Sequence, residues 1–104
     1  MKDLSDLKIS EYQDLIAELV IERGFDKETV PEVFTLLVEE VGELAKAIRK
    51  QNGQKIDPKK KQYDIGEETA DILWLLLDIS NRLDINLGKA FHEKELKNST
   101  RRWE

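Results

Sequence analysis

Apolar residues recur every three to four positions along most of this chain, the period of helices that bury one face. Ile9, Tyr12, Leu15, Ile16, Leu19 and Val20 predict a first helix over residues 9–23, with Gly24 placed to end it. After a loop over 25–29, Pro31 suits the first turn of a second helix that runs to Gln51. Its apolar set is Phe34, Leu37, Val38, Val41, Leu44, Ala45 and Ile48, and Asn52-Gly53 closes it. The polar stretch 52–61 carries Lys55, Lys59, Lys60 and Lys61; within it Asp57-Pro58 offers a cap and a first-turn proline where a third helix can begin. The apolar body of that helix spans 65–83, and from Ile72 to Leu77 it is apolar on every face. A helix apolar all round is buried all round. A domain this small can hardly enclose one, so Ile72, Leu73, Trp74, Leu76 and Ile79 are expected to meet a second subunit. A fourth helix over 87–102, capped by Asn86, has only Ala90, Phe91 and Leu96 on its weak apolar face. The pattern predicts an all-α, four-helix-bundle-like fold.

Composition narrows the chemistry. At 104 residues, with 39% hydrophobic and 38% charged positions, the chain fits one domain (1–104) of amphipathic helices with charged outer faces. It contains no cysteine, which removes disulfides, thiolate zinc sites and iron–sulfur clusters. A net charge of −5 argues against binding a nucleic-acid polymer. No apolar run approaches the ~20 residues of a membrane span. The segment 1–6 lacks the apolar stretch of a signal peptide, so the cytoplasm is the expected compartment.

Against this background two acidic pairs stand out. Glu40/Glu43 and Glu68/Asp71 are each spaced i, i+3, inside the two most apolar helical segments. That spacing puts both members on one helix face, where like charges repel. Most such pairs are solvated surface. Here Glu40 lies beside Leu37, Val38, Val41 and Leu44, and six apolar residues follow Asp71, so both are expected close to the core. Carboxylates so placed need a compensating partner. If the two helices form an antiparallel hairpin, the pairs can face one another and give four carboxylates to one metal pocket. The oxygen-only donor set favours Mg²⁺, with Mn²⁺ able to substitute. Because Mg²⁺ commonly shares its shell with substrate phosphates, such a site points to phosphate chemistry.

Glu39-Glu40-Val41-Gly42-Glu43, a spacer, and Glu68-Thr69-Ala70-Asp71 together resemble the hallmark of the MazG-like, all-α nucleoside triphosphate pyrophosphohydrolases. The segment 93–103, with Lys94, Asn98 and Arg101, looks like that family's closing Lys-x-x-x-Asn-x-x-Arg stretch. The resemblance covers 29–104. It implies hydrolysis of a nucleoside triphosphate between the α and β phosphates to a monophosphate and pyrophosphate, in nucleotide housecleaning. It assigns Glu40, Glu43, Glu68 and Asp71 as Mg²⁺ ligands. Glu39 and Glu40 become the catalytic pair, Glu39 holding a second ion or orienting water. Lys94, Asn98 and Arg101 (or Arg102) become phosphate contacts, and the chain is expected to form a homodimer or homotetramer. Where many members carry an aromatic residue one turn after the motif aspartate, this chain has Leu75. Lys46, Arg49 and Lys50 read best as a solvated face, Trp74, Phe25 and Phe34 as packing residues, and His92 as a partly exposed helix position. Two other readings fit the same pattern: an enzyme like phosphoribosyl-ATP pyrophosphohydrolase, and a non-catalytic helical oligomerisation module.

Overall fold

The computed structural model describes residues 2–52 and 64–101, which form four helices: α1 (Ile9–Glu22), α2 (Val30–Gln51), α3 (Ile65–Arg82) and α4 (Leu87–Thr100). Among the described residues there is no strand. The expected start of the third helix at Asp57-Pro58, the lysine-rich stretch and Arg102 lie outside the described residues. The chain resolves into two compact units, one of Met1–Lys27 with Leu77–Glu104, the other of Glu28–Leu76.

Helix ends follow local chemistry. Thr29 caps α2: its hydroxyl accepts from the Glu32 N–H while the Glu32 carboxylate accepts from the Thr29 N–H, a reciprocal capping box, and Pro31 occupies the first turn. Asp64 accepts from the Glu67 N–H at the start of α3, and Asn86 accepts from the Lys89 N–H at the start of α4. Helices α1 and α3 end in the same way. The Phe25 N–H reaches the Val20 carbonyl and the Gly24 N–H that of Ile21; the Ile85 N–H reaches Ser80 and the Asp84 N–H reaches Asn81. Each is a Schellman ending whose pivot residue has a positive φ, +77° at Gly24 and +55° at Asp84.

In the first unit, Ile16, Val20 and Leu77 are buried with Gln13, Asp78 and Ser80. Gln13 ties three segments together. Its amide donates to Asn81 Oδ1 (3.1 Å) and to the Ile85 carbonyl (2.8 Å), and its oxygen accepts from the Leu87 N–H (3.0 Å). The Asn81 amide in turn donates to the Gln13 carbonyl (2.8 Å). Arg82 bridges Asp78 (2.9 Å) and the Phe25 carbonyl (2.7 Å), holding the end of α3 to the turn after α1. The weak face expected for α4 is not a buried one: Phe91 and Leu96 are exposed and no residue of α4 is fully buried.

In the second unit, the apolar face expected for α2 separates into two stripes. Val33, Leu37 and Ala47 are buried and Leu44 half-buried. Phe34, Val38, Val41 and Ile48 are instead 55%, 54%, 49% and 44% exposed, and Ala45 is exposed with them. A helix apolar over more than half its circumference presents more surface than one neighbouring layer covers. In α3 the all-round burial expected from Ile72 to Leu77 is likewise not met within one chain: Leu77 is buried, but Leu73 and Leu76 are exposed.

Candidate metal centre

The inner stripe of α2 is interrupted by Glu40, which falls between Leu37 and Leu44 and is half-buried. On α3, Glu68 is half-buried and Asp71, one turn on, is exposed, further from the core than its apolar neighbours imply. One carboxylate oxygen from each of Glu40, Glu68 and Asp71 lies within 4.8 Å of the other two. Ligand oxygens around a single hard cation such as Mg²⁺ stand roughly 3–4 Å apart. The three are therefore spaced close to what one ion needs.

The electrostatics of this cluster are unfavourable without a cation. A pair of unit charges at this separation repels by about 1 kcal/mol even in water, and several times that where solvent is partly excluded. Glu40 responds by holding its proton more tightly: its pKa is raised above the ordinary 4.5, chiefly by the hydrogen bond it shares with Glu68, then by burial, then by the charges of Glu68, Asp71 and Glu43. Glu68 Oε2 is buried and, among the described residues, has no hydrogen-bond partner. A buried carboxylate oxygen without a partner costs about 1–3 kcal/mol or more. A divalent cation would serve both needs, neutralising the acids and coordinating the orphaned oxygen, so the donor set fits a hard metal ion.

The model of the MazG nucleotide pyrophosphohydrolase domain matches residues 28–103, which include all three acids. The chain belongs to the MazG family. YpjD of Bacillus subtilis (strain 168), an uncharacterized protein, is 40% identical over 73 residues. That alignment spans 64% of this chain and 64% of YpjD, just under two thirds of the curated relative's length. The crystal structure of YpjD superposes with a TM-score of 0.78 at 27% identity, over 95% of this chain and 100% of the other. That of iMazG from Vibrio DAT 722 gives 0.68 at 31% identity, over 90% and 100%.

Within this MazG chain the other expected site residues sit as follows. Glu43 does not join the three converging acids; its carboxylate pairs with Lys46 at 3.5 Å. Glu39 is exposed. Lys94 and Arg101 are exposed and Asn98 is half-buried, all on α4 or its C-cap in the first unit. The Asn98 amide donates weakly to Glu95 (3.5 Å), and the Arg101 N–H closes the helix on the Asn98 carbonyl. Among the described residues no helix is long and apolar enough to cross a membrane.

Proposed function

We propose that this MazG domain, acting as one unit over 1–104, hydrolyses a nucleoside triphosphate between its α and β phosphates, releasing a nucleoside monophosphate and pyrophosphate. The observation that carries the reading is the convergence of Glu40, Glu68 and Asp71 around the unpartnered Glu68 Oε2, on the segments that match the family model. The provisional pyrophosphatase assignment that accompanies the YpjD crystal structure agrees with it. These three acids would hold Mg²⁺ or Mn²⁺, and Glu43 lies one turn from Glu40, able to join them by exchanging Lys46 for the ion. When bound, the cation supplies charge neutralisation at the phosphates and lowers the pKa of coordinated water.

The chain's own groups would do the rest. Glu39, exposed next to Glu40, would orient the attacking water or hold a second ion. Lys94, Asn98 and Arg101 recur at i, i+4 and i+7, so they form one stripe able to contact phosphate oxygens. That role rests on their match to the family's closing segment. Self-association into a dimer or tetramer, in the cytoplasm, completes the proposal.

Incubating the protein with Mg²⁺ and a panel of nucleoside triphosphates, phosphoribosyl-ATP included, tests it. Monophosphate and pyrophosphate should form in equal amounts with at least one substrate. Asp71→Asn should lower the rate about 100-fold or more. Release of orthophosphate in place of pyrophosphate, or full activity in Asp71→Asn, would overturn the reading.

A further inference from the structure

Glu43 stands between two opposite influences. On α2 it is three residues from Glu40 and three from Lys46, so each neighbour is one turn away, about 4.5 Å along the axis. Side chains on a helix lean toward its N-terminus, which tilts Glu43 toward the turn of Glu40 and tilts Lys46 back over Glu43. The Glu43 carboxylate pairs with Lys46 at 3.5 Å and stands outside the group formed by Glu40, Glu68 and Asp71. Its charge is still felt there, as one of the causes that raise the Glu40 pKa.

Charge explains the position and how it would change. Three crowded carboxylates repel a fourth, and the Lys46 ammonium attracts it. The pair is open to exchange, because its side chains are 51% exposed at Lys46 and 40% exposed at Glu43 and ion pairs so solvated hold weakly. A divalent ion among the three acids would reverse the balance. It offers Glu43 twice the charge of the ammonium, together with direct coordination of a carboxylate oxygen.

We propose that Lys46 is a built-in competitor of the metal ion, holding Glu43 away from the three acids until a divalent cation draws the carboxylate over. Lys46 acts in this way only if those acids bind a cation, as proposed above. It touches no reacting group; it sets metal affinity through where it puts Glu43. The apparent affinity is then the intrinsic one reduced by the fraction of chains in which Lys46 holds the carboxylate.

Titrating Mn²⁺ into the nucleotide-free, full-length protein at physiological salt, with binding read from water-proton relaxation, tests the competition. Lys46→Met should tighten Mn²⁺ binding about two- to five-fold, the span that a solvated ion pair can shift. Lys46→Arg, which keeps a cation at that position, should bind like wild type. Arg49→Met removes the same charge from the same helix, one turn further from the acids, and should have a clearly smaller effect because salt screens the more distant charge. In a Glu43→Gln background Lys46→Met should change nothing, since the contested carboxylate is gone. Lys46 is exposed, so these variants should keep the helix content of wild type by circular dichroism; if Lys46→Met does not, Lys46→Gln takes its place. Unchanged affinity in the folded variant, an equal gain in Arg49→Met, or a gain that persists with Glu43→Gln would overturn the competition and leave the cation site standing. Failure of wild type to bind Mn²⁺ saturably would overturn the cation site and the competition with it.

Discussion

The side chains of Gln13 and Asn81 satisfy one another and the backbone around them, whereas around Glu68 three acids crowd together and, among the described residues, one buried oxygen has no partner. Both clusters sit on helices beside apolar residues, and both interrupt an apolar stripe with a polar side chain. The Gln13 cluster uses neutral amides whose donors and acceptors balance, so its effect is to fix α1 against the α3–α4 turn. The Glu68 cluster brings three carboxylic side chains together and, among the described residues, leaves the buried Glu68 Oε2 without a donor. A balanced polar cluster serves the fold, and the unbalanced one is where the proposed cation would make up the difference.

The strongest way to break this contrast is to truncate the balanced cluster. Gln13→Ala leaves the Leu87 N–H and the Asn81 side chain without their partner, and it should cost about 2–4 kcal/mol in urea unfolding. Glu68→Gln should cost little or nothing in the metal-free protein. Equal losses in the two variants would erase the distinction.

Acidity sharpens it. The Glu40 pKa is raised in the folded chain, so the folded state binds the Glu40 proton more tightly than the unfolded state does. The resulting stabilisation is complete below the ordinary 4.5 and is lost as pH rises through the higher folded value. Above that folded value the Glu40 charge therefore weakens the metal-free protein. Glu40→Gln should raise its melting temperature by a few degrees at pH 7, with the gain shrinking as pH falls toward 4.5. A gain that instead grows on acidification would contradict the assigned cause.

How far the sequence carried these conclusions depended on whether the signal was local. Helix ends were legible because Pro31, Gly24 and Asn86 act within a turn of themselves. The two acid pairs stood out by spacing and residue type, and that they hold a metal is the reading proposed above. What periodicity could not supply was which stripe of α2 faces its own chain, because both stripes are apolar and one residue apart. Of the four acids expected to converge, Glu40, Glu68 and Asp71 do, while the Glu43 carboxylate pairs with Lys46 one turn on. Gln13 escaped notice because it is polar. Its signal was position: with Ile16 and Val20 it forms an i, i+3, i+7 stripe, so a glutamine there is buried and must be bonded.

The smallest effect concerns the second Schellman ending, where Asp84 holds a φ of +55° that Gly24 adopts without penalty in the first. Asp84→Gly should stabilise the chain by about 0.5–1 kcal/mol, read from the urea midpoint. A loss of stability would mean that the Asp84 side chain contributes more than its backbone conformation costs.

The central claim is that Glu40, Glu68 and Asp71 form a cation site whose need is written in the orphaned Glu68 oxygen. Titrating Mn²⁺ into the nucleotide-free protein and following free Mn²⁺ by electron paramagnetic resonance tests it directly. The account predicts a saturable site in wild type that is lost in Glu68→Gln, with the helices intact by circular dichroism. Equal Mn²⁺ binding by wild type and Glu68→Gln would contradict it.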